Sequence, residues 1–313
     1  MRMTVLVLVA AAGCGVDDEP VTIAFTSPAP GAAFTRDALG PGGALVAEVG
    51  VEVDIGGHAK TITLAAGDGS LGELGLDGPV IANIDALGAV TLTATALDDM
   101  GAVLATASVD ISIAEPMLAD CQGWLDLYKL DYTVGPTSPG IADPVTVKIP
   151  INGMSFRYSG STSARKTLMG DCTLMKSLAE AAPILRAHDI KEVTDIGVYN
   201  YRCIDQSLTP PNCNMSQHAY AKAIDLAAFT TSDDTTYTVK TDWVIDPADD
   251  TCEATTESDK DTFLHQLICE LKAHRVWNIV LTPNYNAAHR DHFHVDLTKS
   301  SDFITRQVGA FGD

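Results

Sequence analysis

The distribution of cysteines restricts the fold of this chain more than any other feature of its sequence. Six of the seven cysteines lie at or after residue 121, and none lies between Cys14 and Cys121. An even number of cysteines in an exported protein indicates disulfides. Cysteine-bound zinc is the alternative, but none of the six has the close CxxC spacing that such sites use. Local spacing favours Cys203–Cys213, and Cys252–Cys269 would tie a polar loop to a helix; Cys121–Cys172 is then the remaining pair.

Residues 1–14 predict a lipoprotein signal peptide. Arg2 precedes an apolar run over residues 5–12, which is too short to span a bilayer as a mature helix. The sequence Ala11-Ala12-Gly13-Cys14 resembles a bacterial lipobox, in which cleavage leaves Cys14 as the lipidated first residue. Residues 15–20 then form a solvated tether. We therefore expect an exported protein with a lipid anchor in the cell envelope, on the outer membrane or the periplasmic side. The alternative is an ordinary secretory signal with an incidental cysteine.

The chain length and the net charge restrict the class of protein. The chain has 313 residues, enough for two domains, and its 46% hydrophobic content indicates a globular fold with a core. The formal net charge of −21 disfavours nucleic acid as a partner, because phosphate groups repel an acidic surface. Residues 1–115 hold 15 acidic and 3 basic residues, which marks them as a separate acidic module.

Residues 21–115 predict an all-β, immunoglobulin-like sandwich. Apolar and polar residues alternate over 90–96, as they do in a half-buried strand. His58 follows Gly56 and Gly57 and is expected in a hairpin rather than in a site. No catalytic motif occurs in this region. Strands are expected over residues 21–25, 44–55, 61–64, 90–96 and 105–113.

Helical and strand patterns alternate in residues 121–313, after a boundary near Pro116. Leu174, Leu178 and Leu185 share one helical face, and Pro183 predicts a kink or an early break in that helix. A capping pair, Ser258 and Asp261, precedes a helix over 262–274. Strands are expected over 192–201, 224–229, 276–281 and 292–297. Three histidines on or beside helices are expected to face solvent: His188, His265 and His274.

Two short segments, 216–225 and 291–294, carry the chemistry. They supply His218, Asp225 and His294, and two imidazoles with one carboxylate are a ligand set for a catalytic zinc with an open fourth position. His292 and His294 alternate along a strand and therefore share a face. Asp291 could take a proton from a water molecule on the metal, whose pKa zinc lowers to about 7. This pattern predicts a metallohydrolase with one zinc per chain, whereas an isolated HxH would more often be structural. His289 is expected to be a surface residue or a neighbour of the site rather than a fourth ligand.

The motif SxHxxxxAxD followed by DHxH resembles the zinc D-alanyl-D-alanine carboxypeptidases and their relatives, the penicillin-insensitive murein endopeptidases. Residues 121–313 resemble more closely the extensin-like C-terminal domain family of bacteria. One departure from the peptidases is Ala221, where they usually have glycine; an alanine there is strained if the backbone needs a positive φ. The matching stretches are 197–203, 216–229, 242–243 and 283–296.

The resemblance implies an α+β zinc D-Ala-D-Ala peptidase-like fold, of the hedgehog/DD-peptidase type. It also implies hydrolysis of peptide bonds in peptidoglycan or its stem peptides, by a carboxypeptidase or an endopeptidase. A non-catalytic, zinc-containing cell-wall-binding module is the alternative, and Ala221 is the feature that favours it. The resemblance assigns roles to six residues: His218, Asp225 and His294 as zinc ligands, Asp291 as general base, His292 as the group that stabilises the tetrahedral intermediate, and Arg202 as a substrate clamp.

Overall fold

The structure is a computed structural model that describes residues 20–74, 78–246 and 251–305. The expected signal peptide, its lipidated Cys14 and residues 15–19 of the expected tether lie outside the described residues. The chain divides into two compact units, Met1–Met117 and Leu118–Asp313. Within the described residues, no helix is long and apolar enough to cross a membrane.

The first unit is built of β-strands in two sheets. One sheet has the order β1-β4-β3 with β7 also paired to β4, and the other has the order β2-β9-β8-β5-β6. Within the described residues the strands are β1 (Thr22–Ser27), β2 (Ala33–Thr35), β3 (Ala38–Leu39), β4 (Leu45–Gly56), β5 (Thr61–Ala66), β6 (Gly69–Leu74), β7 (Val80–Ile84), β8 (Gly88–Leu97) and β9 (Val103–Ala114).

A single apolar core joins the two sheets of the first unit. Along β9, buried and exposed residues alternate strictly from Ala105 to Ala114, so that one face packs inward and the other meets solvent. Ala47 and Val49 of the first sheet belong to the same cluster as Leu92 of the second. The predicted β-sandwich agrees with this arrangement, although four shorter strands were not predicted. His58 is exposed, but it connects strands of different sheets and is not part of a hairpin.

The second unit combines helices with two further sheets. A three-stranded sheet has the order β10-β11-β13, and a seven-stranded sheet has the order β12-β14-β15-β18-β17-β19 with β16 paired to β15. The strands are β10 (Tyr132–Val134), β11 (Pro144–Lys148), β12 (Ser155–Tyr158), β13 (Thr167–Asp171), β14 (Ile190–Gly197), β15 (Ala223–Thr231), β16 (Thr236–Thr238), β17 (Ile279–Leu281), β18 (Phe293–Asp296) and β19 (Phe303–Ile304). The α-helices are α1 (Gln122–Leu127), α2 (Cys172–Ala187), α3 (Val239–Asp242) and α4 (Asp259–Ala273).

Helix α2 runs through Pro183 to Ala187, so the expected early break is wrong. Proline has no N–H and leaves the carbonyl four residues earlier without its helical partner. That carbonyl belongs to Ala179, and it accepts a hydrogen bond of 2.8 Å from Nδ2 of Asn152. A side chain from outside the helix therefore replaces the missing bond, which explains why the helix continues.

Helix α4 begins at Asp259, three residues before the predicted start, and Oγ of its cap Ser258 accepts from the Asp261 backbone N–H. The solvent-facing position predicted for His265 is wrong. His265 is buried, its ring stacks on Trp243 with centroids 3.8 Å apart, and its Nδ1 lies 2.6 Å from the Thr251 carbonyl oxygen. His188 is also partly buried, against Glu270, and only His274 of the three is exposed.

Three disulfides constrain the described part of the second unit, and they are the three predicted pairs. Cys121–Cys172 joins the residue before α1 to the first residue of α2. Cys203–Cys213 closes a loop with a sequence separation of 10. Cys252–Cys269 ties α4 to the segment before it. Because its cysteines are bonded to each other, the cluster of Cys121, Cys172 and Asp143 has no thiolate to offer a metal.

Candidate functional site

The site lies on two central strands of the seven-stranded sheet. Strands β15 and β18 pair antiparallel, with Asp225 directly opposite His294. Residues opposite each other in such a pair have their side chains on the same face. The sheet register therefore brings together two residues that are 69 positions apart in the chain.

His218 reaches this face from a short 3-10 turn, Gln217–Tyr220, that precedes β15. The cap of the turn is Ser216, whose Oγ accepts from the His218 backbone N–H. The turn ends at Ala221, which has a left-handed backbone with φ 51° and ψ 34°. This is the conformation in which an alanine is strained, by on the order of 1 kcal/mol. The strain does not prevent His218 from reaching the other two residues.

Close packing also holds the turn in place. Gly140 has φ +80°, and a Cβ added to it would lie 2.2 Å from the Ala219 carbonyl oxygen. Any side chain at residue 140 would therefore displace the turn that carries His218. Glycine is needed here both for its backbone conformation and for the close approach.

Three donor atoms converge on one point. Nε2 of His218 lies 3.1 Å from Oδ1 of Asp225 and 3.1 Å from Nδ1 of His294, and that Nδ1 lies 3.0 Å from the same Oδ1. Four ligands arranged tetrahedrally at 2.0–2.1 Å from a zinc ion would be about 3.3 Å apart. The observed triangle is close to that size, so these residues fit a small divalent metal ion without rearrangement.

The orientation of His218 favours a cation at this point. Its Nδ1 lies 2.8 Å from the carbonyl oxygen of Val198, which can only accept a hydrogen bond. The proton of a neutral His218 is therefore on Nδ1, and the lone pair of Nε2 faces Asp225 and His294. Lone pairs that face a carboxylate repel it unless a proton or a metal ion lies between them.

The pKa shifts of Asp225 and His294 in the metal-free cluster also favour a cation between the donor atoms. Burial by itself would raise the pKa of Asp225, but its close contacts with His218 and His294 outweigh burial and hold that pKa far below the usual carboxyl value. Burial would lower the pKa of His294, but hydrogen bonds to Asp225 and Asp296 raise it to about 9. In the absence of metal, a proton on His294 thus balances an ionised Asp225. A metal ion would take the place of that proton.

His292 and Asp291 form a second pair beside the donor atoms. Nε2 of His292 lies 3.4 Å from Oδ1 of Asp225, and its Nδ1 lies 2.8 Å from Oδ1 of Asp291. The Asp291 side chain is 48% exposed, whereas that of His292 is 10% exposed. Both His292 and His294 face the site, as the alternation of the strand predicted. Asp291 contacts the nitrogen of His292 that does not face Asp225.

The donor atoms open into a cleft of about 530 Å³. Arg202 lines it, and Nη1 of its guanidinium donates to the carbonyl oxygen of Cys203 at 3.4 Å. The loop closed by the Cys203–Cys213 disulfide leads from Arg202 to the turn that carries His218. The Arg202 carbonyl also accepts from the Ser216 N–H at 3.1 Å. The other walls combine polar and apolar side chains, among them Gln206, Gln217, Ile279, Leu281, Tyr285 and Phe303.

His289 also lines this cleft, with its ring 5.3 Å from His292 and 5.7 Å from His294. Its Nδ1 lies 2.7 Å from Oδ1 of Asn286. Burial and the charges of His294 and His292 lower the pKa of His289 to about 4, which keeps it neutral at physiological pH. It is a neighbour of the donor atoms and not one of the three that converge, as the sequence suggested.

Two contacts of the cluster were not foreseen. The Val198 carbonyl is a backbone group, and no sequence pattern marks it. Asp296 lies 3.1 Å from Nε2 of His294 and could have been found by continuing the alternation 292–294 by one more step along the strand.

The residues of this site fall within one family match. A family model described as "Extensin-like protein C-terminus" matches residues 133–305, more than half of the chain. The chain belongs to this extensin-like family. All six of the predicted site residues of the extensin-like chain lie within the matched range.

Other comparisons add little to the family membership. No curated protein matches the extensin-like chain significantly. Fibronectin(III)-like modules of CbhA from Clostridium thermocellum are similar over 31% of this chain and 99% of theirs, at 13% identity and a TM-score of 0.25. A beta-glucuronidase from Parabacteroides merdae is similar over 42% of this chain and 16% of its own, at 10% identity and a TM-score of 0.23. Such low scores do not establish a shared fold.

Proposed function

We propose that this extensin-like chain is a zinc-dependent hydrolase of peptide bonds in peptidoglycan. The observation that carries the proposal is the convergence of Nε2 of His218, Oδ1 of Asp225 and Nδ1 of His294 within 3.1 Å at the base of an open cleft. Two imidazoles and one carboxylate with an open side are a donor set of catalytic rather than structural zinc. The resemblance of the two motifs to zinc D-Ala-D-Ala peptidases supports both the metal and the fold of the second unit.

Zinc held by these residues would supply a Lewis acid and a water molecule that ionises near neutral pH. The chain's own groups then have separate tasks. Asp291 is the proposed general base, and His292, in the imidazolium form with a proton on each ring nitrogen, would donate from Nε2 to the developing oxyanion. Because Asp291 accepts from Nδ1 of His292 at 2.8 Å, it also holds that ring with Nε2 toward the cleft. Arg202, in the cleft wall, would bind a carboxylate or a carbonyl oxygen of the substrate through its planar fork.

A second candidate is a zinc-containing module that binds the cell wall without cleaving it. The specific observation in its favour is the strained alanine at position 221, next to the turn that carries His218. The contact between Asp291 and His292 beside the donor atoms favours the hydrolase, because a binding module has no need of a base in contact with an imidazole.

One experiment separates the two candidates. Zinc-loaded full-length protein is incubated with purified peptidoglycan, and the soluble products are identified by mass spectrometry, with Asp291→Ala as the control. The hydrolase predicts new stem-peptide fragments for the wild type and almost none for the variant at equal zinc content. Retention on the insoluble wall without any fragment, by both proteins, would instead identify a binding module. The masses also tell a carboxypeptidase from an endopeptidase.

We propose further that the protein is exported and anchored by a lipid at Cys14. The support is the lipobox-like sequence and the three disulfides, which persist in oxidising compartments. Replacement of Cys14 by serine is expected to move the protein from the membrane fraction to the soluble envelope fraction and to abolish labelling by a radioactive fatty acid. Unchanged membrane association and labelling would contradict the anchor.

A further inference from the structure

His294 uses both of its ring nitrogens. Its Nδ1 faces Asp225 and His218 at 3.0 and 3.1 Å, and its Nε2 lies 3.1 Å from Oδ2 of Asp296. Asp296 is two residues further along β18, so its side chain lies on the same face of the sheet as that of His294. The imidazole therefore bridges the three donor atoms and a second carboxylate.

Asp296 is buried, with an exposed fraction of 4%, so the groups around it must compensate for the burial of its carboxylate. A buried carboxylate is costly unless it is hydrogen-bonded and paired. Oδ1 of Asp296 accepts from the Thr298 backbone N–H at 2.8 Å, which fixes the carboxylate plane. Among the described residues, no lysine or arginine forms a salt bridge with Asp296, and its ionic partner is His294. Its charge is thus directed at one imidazole of the cluster.

The contact decides which nitrogen of His294 carries a proton. A carboxylate oxygen accepts a hydrogen bond, so this contact keeps a proton on Nε2 of His294 and leaves Nδ1, which faces Asp225 and His218, as the nitrogen available to a metal ion. The Val198 carbonyl likewise keeps a proton on Nδ1 of His218, so that Nε2 faces the other two residues. The two imidazoles therefore present different ring nitrogens, and each is fixed by a partner behind it. The partner of His294 is a carboxylate rather than a backbone carbonyl, and a carboxylate behind an imidazole strengthens it as a metal ligand.

We propose that Asp296 is a positioning residue of the metal site, which orients His294 and strengthens its Nδ1 as a metal ligand. The inference rests on the proposed zinc site, and it adds a residue that neither the sequence motifs nor the family match assigns. It does not depend on whether the site hydrolyses anything.

The main test is the zinc affinity of full-length Asp296→Asn, measured by competition with a chromophoric chelator. The amide can keep the bond to the Thr298 N–H through its oxygen, but it then offers an N–H to Nε2 of His294 and favours the wrong tautomer. Loss of such a partner typically weakens metal binding by about 10–100-fold. We expect a loss in this range, together with a changed absorption spectrum of the cobalt-substituted protein and partial recovery of affinity in Asp296→Glu.

The matched control is Asp261→Asn, which alters a buried carboxylate outside the site that accepts from the Val244 and Glu257 N–H groups. This variant is expected to lower the melting temperature and to leave the zinc affinity unchanged. If Asp296→Asn binds zinc as tightly as the wild type does, the proposed role is wrong. If the wild type itself binds no zinc, both this inference and the proposed zinc site fail.

A second measurement needs no substitution and covers the case in which Asp296→Asn does not fold. Nitrogen-15 NMR of the zinc-loaded wild type distinguishes a metal-bound from a protonated ring nitrogen. We expect His294 to be metal-bound at Nδ1 and protonated at Nε2, and His218 to show the reverse. Coordination of zinc through Nε2 of His294 would overturn the proposal.

Discussion

At the scale of single residues, the important result is that three donor atoms from distant parts of the sequence meet within 3.1 Å. The prediction that follows is that His218→Ala combined with His294→Ala abolishes zinc binding, because one carboxylate alone cannot hold the ion. Wild type is expected to contain about one zinc per chain, measured by metal analysis of the purified protein. His289→Ala is the matched control, since His289 lines the same cleft without contributing a donor atom. Equal zinc content in the double variant and the wild type would refute the site.

A second prediction at this scale separates two roles of Asp291. The variant Asp291→Asn keeps an oxygen that can accept from Nδ1 of His292, so the ring stays oriented, but the amide cannot take a proton. We expect normal zinc content and a loss of about 10²–10⁴-fold in the rate of stem-peptide hydrolysis. Steady-state rates at matched zinc occupancy check this, because loss of metal would imitate loss of the base. Undiminished hydrolysis by Asp291→Asn would show that another group is the base.

At the scale of elements, the loop between Arg202 and Ser216 links the cleft wall to the turn that carries His218. The Cys203–Cys213 disulfide closes this loop, and the Ser216 N–H donates to the Arg202 carbonyl. Replacement of both cysteines by serine is expected to lower the free energy of unfolding by roughly 2–3 kcal/mol in the chain-entropy model. It should also weaken zinc binding, since the turn loses its support. Denaturant unfolding and chelator competition measure the two effects, and peptide mapping that finds two free thiols in the wild type would rule the bond out.

Helix α2 gives a second prediction about an element. The variant Asn152→Gly removes the amide that bonds to the Ala179 carbonyl, and glycine tolerates the positive φ of 44° at this position. We expect a loss of about 1–3 kcal/mol, because a buried acceptor is left without a partner. In a Pro183→Ala background the helix can supply its own N–H to Ala179, so the same substitution should cost much less. A double-mutant cycle by denaturant unfolding measures that coupling, and simple additivity would show that the amide does not substitute for the helical bond.

At the scale of the whole molecule, the chain divides into two units, and all of the proposed zinc ligands lie in the second. A ligand that binds only the folded state raises the free energy of unfolding of the unit that holds it, by about 2.7 kcal/mol at a concentration of 100 Kd. We therefore expect zinc to slow hydrogen exchange in β14, β15 and β18 of the second unit and to leave β8 and β9 of the first unchanged. Exchange measured by mass spectrometry, with and without zinc, tests this. Uniform protection of both units, or of neither, would contradict it.

Local patterns were sufficient for the parts of this protein that depend on neighbouring residues. Alternation of apolar and polar residues identified β8, because one face of that strand is buried and the other is more exposed to solvent. The capping residue Ser258 marked the start of α4 within three residues. Short separations of 10 and 17 positions favoured two of the disulfides, since nearby cysteines meet easily. The three residues whose donor atoms converge were also singled out from the sequence, because their chemical types and spacing form a motif.

Tertiary structure decided what depends on groups far apart in the chain. Pro183 does not end its helix, because Asn152 comes from outside to bond the freed carbonyl. His265 is buried by Trp243, although its position on a helix suggested exposure. The Val198 carbonyl and Asp296 lie behind the two imidazoles of the candidate site, and in our proposal they set which ring nitrogen each imidazole presents. The sequence alone was thus enough to identify the residue types of the candidate site. Their protonation and orientation arise only when folding places a backbone oxygen or a second carboxylate behind each imidazole.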